Sequence, residues 1–440
     1  MKRIFEKQLS EWDKEKKKPL MIIGVRQSGK TYLISKYCEK HYKNFIHINL
    51  FADDRLTHIF NENGEFKKRR ELLCSVYNFS FDDKETILFV DEVQMCPKFI
   101  QDLKLFCENG INNIIVAGSL LGVTLKGMDE SFPVGKVNLK NFYPMNFEEF
   151  LIATGNDRYI KMIKDSFENL SPFPLHEELM SLFRRYLFVG GMPEALKDYI
   201  DSDQDTSKMN KDIIKDIVES YKQDITKHVE NIKDKIRVQN IYDNVIPQLM
   251  KENPKFMYAK FDNKDRKSDY ISALDFLVSS HMILKCNQLN KIEYPIKAYQ
   301  DDNNYKLFLS DIGILREMAG IEIVDVLMAG NYAYKGVLTE NYVAEELLRM
   351  FGYLSYWTRK NDDNGNKAEV DFVIQIGTEL IPIEVKSGRN QAQSLKIYNE
   401  LFHPKYMLKI GDYNFGISDN LITIPLYATF LIKDVLEKRK

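Results

Sequence analysis

The chain has 440 residues, enough for about three domains, and its 44% hydrophobic content can fill real cores. With 62 basic and 64 acidic residues the net charge is −2, which excludes polyanion binding by the whole surface and leaves it to local patches. No apolar run approaches the roughly 20 residues of a membrane span, so a soluble, cytoplasmic protein without a membrane partner is expected.

Residues 1–17 predict an amphipathic helix with Ile4, Phe5, Leu9 and Trp12 on one face, charged rather than signal-like. Leu20 to Ile23 is an apolar, β-favouring run, and Gly24 through Thr31 (GVRQSGKT) then satisfy G-x-x-x-x-G-K-[ST] at every fixed position. Gly24 and Gly29 allow a turn tight enough for successive N–H groups across Arg26, Gln27 and Ser28 to form an anion-binding nest. A helix beginning near Thr31 points its positive end at bound phosphates. Lys30 supplies an ammonium to the β- and γ-phosphates, and the Thr31 hydroxyl is a ligand for Mg²⁺. This is a nucleotide-binding loop.

Asn44–Phe51 alternates like a second strand, and residues 53–79 are polar and helical. Thr86–Glu92 (TILFVDE) places four apolar residues before Asp91 and Glu92, the pattern of a strand buried on both faces of a parallel sheet. Acids at such a strand end face the crevice where ligands bind. Asp91 is expected in the Mg²⁺ shell, and Glu92 is expected to activate the attacking water. Asn113–Ser119 (NIIVAGS) supplies another buried strand, ending in a candidate γ-phosphate sensor, Ser119. The five cysteines show no paired or metal-ligand spacing, and the seven histidines no H-x-x-H or HExxH cluster.

The phosphate loop, the strand ending in Asp91-Glu92 and the strand ending in Ser119 together resemble the AAA+ branch of P-loop ATPases, which implies ATP with Mg²⁺. Phe132–Phe150 and Gly190-Gly191-Met192-Pro193-Glu194 resemble stretches of one bacterial and archaeal AAA family, whose members join an N-terminal ATPase to a C-terminal domain of unknown function. That resemblance implies an arginine from the lid or from a neighbouring subunit of a homo-oligomer, with Arg184 and Arg185 as candidates. Lys136 stands in the region where family members often carry an arginine.

Residues 1–150 are thus read as the ATPase core and 151–230, strongly helical, as a lid. Ser202–Lys211 is polar, lacks apolar periodicity and reads as a linker. Residues 231–325 suggest a winged helix: helices near 236–250 and 269–280, then strands Met282–Leu289 and Tyr305–Ser310. Lys255, Lys260, Lys264, Arg266 and Lys267 are positioned to meet nucleic-acid phosphates or to form a solvated face, and DNA and protein are alternative partners.

Residues 326–440 carry a second constellation. Val337–Met350 reads as an amphipathic helix, followed by strands Glu369–Ile376 and Leu380–Lys386. Residues two apart on a strand share a face, so Glu384 and Lys386 project together toward Asp371 on the preceding strand. Such carboxylates suit Mg²⁺ or Mn²⁺, with a lysine to stabilise developing charge. The D-x(12)-E-x-K spacing resembles the PD-(D/E)xK nuclease-like fold, whose first acid is here Glu340 or, alternatively, Glu345. A helix Gln391–Phe402 and a strand Lys405–Ile410 follow, and Val370 stands where many nucleases have proline. The fold class expected is α/β throughout. Three functions are consistent with it: an ATP-driven switch, an ATP-regulated metal-dependent nuclease, and a non-hydrolysing scaffold.

Overall fold

A computed structural model describes residues 1–62, 64–127, 133, 135–229, 231–250, 256–257, 267–322, 326, 334–359, 368–386 and 393–439. The chain forms two compact units, Met1–Pro144 with Asp275–Met282, and Met145–Leu274 with Ile283–Lys440.

In the first unit, helix α1 (Phe5–Glu15) precedes strand β1 (Leu20–Ile23) and helix α2 (Lys30–His41). Strand β2 (Asn44–Asn49), helices α3 (Arg55–Asn61) and α4 (Phe66–Val76), and strand β3 (Thr86–Asp91) follow. Helix α5 (Pro97–Glu108), strand β4 (Ile114–Gly118), helix α6 (Leu121–Gly127) and strand β5 (Asn138–Asn141) complete it. The five strands lie in the order β2-β3-β4-β1-β5, and every pairing is parallel.

Alternation of side chains along each strand builds a core on both faces. Met21, Ile23, Leu88, Val90, Ile114 and Val116 pack with α3 and α5 on one face. Leu20, Ile22, Ile87, Phe89, Ile115 and Ala117 pack on the other with Leu33, Ile34, Tyr37, and Phe5, Leu9 and Trp12 of α1. Ile4, expected on the apolar face of α1, is exposed, because the helix starts only at Phe5.

The second unit opens with five helices: α7 (Phe147–Ala153), α8 (Arg158–Asn169), α9 (His176–Val189), α10 (Pro193–Asp201) and α11 (Asp212–His228). An asparagine cap with reciprocal bonds to Glu149 starts α7. Helices α12 (Ile232–Asp243) and α13 (Val245–Leu249) come next, and α14 (Ile271–Ser279) divides between the units at Leu274. Strands β6 (Ile283–Leu289) and β7 (Gln300–Leu309) pair antiparallel, as a winged helix requires, but they do not stand alone. After α15 (Ile312–Met318) and α16 (Lys335–Phe351), strand β8 (Leu354–Arg359) pairs parallel to β6, and β9 (Ala368–Val370) pairs with β8. The hairpin of the winged-helix-like module expected over 231–325 continues into a four-stranded sheet, β7-β6-β8-β9.

The strand expected at Glu369–Ile376 breaks at Asp371, so that β10 (Phe372–Ile376) joins a different sheet. That sheet runs β10, β11 (Glu379–Lys386), β12 (Met407–Gly411), β14 (Leu421–Pro425), β13 (Gly416–Ser418), with α17 (Gln393–Phe402) between β11 and β12 and α18 (Ile432–Lys438) at the end. Trp357, Val370, Val373, Leu395, Tyr398 and Met407 form a shared core.

Candidate functional site

The first site is the loop between β1 and α2. Gly24 runs against Phe142, where a Cβ would lie 2.1 Å from the Phe142 carbonyl oxygen, so only glycine fits. Gly29 has φ +90°, the left-handed region that lets the chain enter α2. Inside the loop, Ser28 Oγ donates to the Val25 carbonyl at 2.7 Å. Lys30 Nζ is buried and donates to the carbonyls of Gly24 and Val25, both at 2.7 Å. Burial pushes its pKa down to about 8, against the opposing pull of Glu92 and Asp91.

Thr31 Oγ1 donates to Asp91 Oδ2 at 2.7 Å, and Asp91 Oδ1 accepts from the Glu92 backbone N–H at 3.0 Å. Burial raises the Asp91 pKa, partly offset by the Thr31 bond. Glu92 follows β3 in a left-handed turn, φ +53°. Its Oε2 accepts from Gln94 Nε2 at 2.7 Å and from Ser119 Oγ and the Ser119 N–H, each at 3.4 Å. Glu92, Ser119, Asp91, Thr31 and Lys30 thus gather at the C-terminal ends of β1, β3 and β4. Thr31 and Asp91 offer hard oxygens side by side, a donor set that fits Mg²⁺.

In the second unit the expected acids meet a cation. Lys306 on β7 is 1% exposed and lies 3.1 Å from Glu340 Oε1 and 2.6 Å from Glu369 Oε1. Burial pushes its pKa down, but Glu340, Glu369 and Asp371 together hold it well above the ordinary lysine value. Asp371 Oδ2 accepts from the Val385 N–H at 2.7 Å, and burial with the Glu340 charge pushes its pKa up to about 7. Lys386 pairs with Glu384 at 2.9 Å. Glu345, the alternative first acid, instead accepts from Asn341 Nδ2 at 2.7 Å within α16. Among the described residues no three acidic, histidine or cysteine side chains are grouped to hold a metal. Of the expected ligand trio Glu340, Asp371 and Glu384, the first is neutralised by an ammonium.

Residues 16–151 match the family model of an AAA domain. The first unit is accordingly an AAA-type P-loop ATPase domain, an ATP-binding module. Two domains of unknown function match elsewhere, DUF8612 over residues 180–324 and DUF4143 over residues 335–428. An uncharacterised protein of Methanocaldococcus jannaschii is 26% identical over 411 residues, covering 90% of this chain and 81% of its own. A second from that organism is 25% identical over 415 residues and covers 80% of this chain, which spans only 34% of it. Among solved structures, a Walker-type ATPase of Pyrococcus abyssi is 15% identical with a TM-score of 0.40, over 72% of this chain and 95% of its own. The ORC2 protein of Aeropyrum pernix is 12% identical with a TM-score of 0.37, over 74% and 94%.

In the AAA domain, sequence reasoning missed Arg3. It donates to the Ser28 carbonyl at 2.8 Å and the Tyr143 carbonyl at 2.7 Å, and it covers the Phe142 ring at 4.4 Å, so it pins the phosphate loop from below. Nothing near Arg3 in the chain signals this. Gln94, two residues after Glu92, was a readable neighbour of the motif. Lys306, a lone charge in the apolar run YKLFLS, was the overlooked signal in the second unit. Lys136 pairs with Glu108 at 3.3 Å, and Arg184 and Arg185 lie on α9 of the second unit. Lys255, Lys260, Lys264 and Arg266 lie outside the described residues. None of the described helices is long and apolar enough to cross a membrane.

Proposed function

We propose that the protein is a Mg²⁺-dependent ATPase that works as a nucleotide-driven switch on its nuclease-like C-terminal portion. The observation that carries the reading is the 2.7 Å bond from Thr31 Oγ1 to Asp91 Oδ2, which sets the two Mg²⁺-ligand types side by side beneath the phosphate nest. Arg26, Gln27, Ser28 and Gly29 present backbone N–H groups to the phosphates. Lys30 leaves the Gly24 and Val25 carbonyls for the β- and γ-phosphate oxygens, which supply the charge that its burial lacks. Glu92 accepts the proton of the attacking water, while Ser119, already beside Glu92 Oε2, contacts the γ-phosphate. Bound Mg²⁺ supplies neutralisation of the β- and γ-oxygens as negative charge shifts.

Calorimetry with ATP and Mg²⁺, paired with a phosphate-release assay, tests the reading. Lys30→Ala is expected to abolish binding; binding that survives it removes the site from this loop.

A metal-dependent DNA nuclease at Asp371, Glu384 and Lys386 is a second reading, favoured by one observation. Glu384 Oε2 is sealed from solvent and has no hydrogen-bond partner among the described residues, an oxygen that Mg²⁺ or Mn²⁺ would satisfy. The neutralisation of Glu340 by Lys306 weighs against it. Cleavage of DNA in Mn²⁺ that Lys386→Ala abolishes would establish the nuclease; cleavage unaffected by that change would dismiss it.

A further inference from the structure

The AAA unit takes in a piece of chain that its family match does not cover, residues 275–282. This segment packs on α6 so closely that a Cβ on Gly122 would lie 2.1 Å from the Ser279 carbonyl oxygen and 3.5 Å from Cγ2 of Ile23. Ile23 is the residue immediately before the glycine loop, and Leu121, which starts α6, stands two residues after Ser119. The end of the segment therefore lies along the C-terminal edge of the sheet, beside the loop. Lys126 Nζ adds an ion pair to Asp275 at 2.8 Å.

His281 stands one residue before the end of this segment, in the turn after α14. Its φ is +58°, a region that costs a non-glycine residue about 1 kcal/mol or more and is held only where surrounding structure fixes it. The ring stacks on Tyr143, with centroids 6.1 Å apart and planes 8° from parallel. Arg3 bonds both the Tyr143 carbonyl and the Ser28 carbonyl, so the stacking platform is tied to the phosphate loop itself. His281 Nδ1 is sealed from solvent and has no hydrogen-bond partner among the described residues. A buried ring nitrogen left in that state costs free energy that a ligand can recover. Burial, and then the nearby Lys30 ammonium, push the His281 pKa down to about 4, so the imidazole is neutral at pH 7.

We propose that His281 is a nucleotide-binding residue that donates a hydrogen bond to the phosphate chain of bound ATP or ADP. A neutral imidazole carries one N–H, and with the proton on Nδ1 it donates to a phosphate oxygen. The left-handed turn and the Tyr143 stack fix the ring near Lys30 before nucleotide arrives. The segment beyond the AAA match thereby closes the nucleotide site, a role that rests on the ATP-binding reading above.

The test compares wild type, Lys30→Ala, His281→Phe and His281→Asn by calorimetry with ADP and with ATP, each in Mg²⁺. His281→Phe keeps the ring stack but has no donor, and is expected to weaken ADP binding about tenfold or more. His281→Asn restores an N–H donor at the place of Nδ1 and is expected to stay within about threefold of wild type. In parallel, the His281 Cε1–H resonance, assigned by its loss in His281→Asn, is expected to shift when ADP is added to the wild-type protein; this measurement does not depend on the variants' binding. Wild-type affinity in His281→Phe, or a resonance that ADP leaves unmoved while Lys30→Ala abolishes binding, overturns the role of His281 and leaves the ATPase reading standing. Absence of nucleotide binding by the wild type, or binding indifferent to Lys30→Ala, overturns both.

Discussion

Thr31 Oγ1 and Asp91 Oδ2 lie 2.7 Å apart although 60 residues separate them in the chain. Strand β4 runs between β1, which leads into the loop before Thr31, and β3, which ends at Asp91, and its last residue, Gly118, has no side chain to intrude. A Cβ there would lie 2.0 Å from Gln94 Oε1, the neighbour that also holds Glu92. Replacing Thr31 with valine keeps the volume and removes the hydroxyl, leaving a buried carboxylate oxygen without its donor. The nucleotide-free protein is expected to lose about 1–3 kcal/mol in urea unfolding. ATP affinity should also lose its dependence on added Mg²⁺, which calorimetry with and without chelator checks.

Lys30 makes the nucleotide-free protein pH-sensitive in a defined direction. Its folded pKa of about 8 lies below the ordinary 10.5, so between those values the unfolded chain holds the proton more tightly. Stability should therefore rise with pH from about 8 to 10.5, by up to roughly 3 kcal/mol. Below pH 8 the full cost of burying the charge is present. Lys30→Met is expected to remove this slope and to unfold at a higher temperature at pH 7 without nucleotide. A thermal series from pH 7 to 10 on both proteins checks it; parallel curves would show that the ammonium is not buried.

Glu92 accepts bonds from Gln94 and Ser119 while Asp91 is engaged by Thr31, so the two adjacent acids have separate tasks. Glu92→Gln should leave ATP affinity within a few-fold of wild type and slow phosphate release by roughly 10²–10⁴-fold. The measurement is single-turnover hydrolysis. Equal loss of binding and turnover would mean that Glu92 holds nucleotide instead of activating water.

Lys306 holds the second unit's carboxylates together. Lys306→Met leaves the half-buried Glu340 and Glu369 without their cation, which should cost about 1–3 kcal/mol in denaturant unfolding. Adding Glu369→Gln to that change should recover part of the loss. A double mutant as unstable as the sum of the single changes would argue that the pair is not coupled.

The amino-acid order alone determined the parts that depend on neighbours along the chain. Continuous apolar runs marked the buried strands β1, β3 and β4, and the glycine spacing marked a loop whose Gly24 and Gly29 have the space and the backbone angle that were required. Helix α16 and the hairpin β10–β11 were legible for the same reason: periodicity and turn residues act within a few residues. Only the tertiary structure decided that Arg3 braces Ser28, that His281 returns to the ATPase unit, and that Lys306 occupies the space among Glu340 and Glu369. It also decided that the β6–β7 hairpin extends through β8, and that Asp371 sits at a break between two sheets. These pairings join residues 25 to 200 or more positions apart or depend on strand register, and no local pattern encodes which distant side chain will meet a buried charge. Burial makes the match compulsory, because a charge without a partner is expensive, but which residue supplies the partner is fixed by packing.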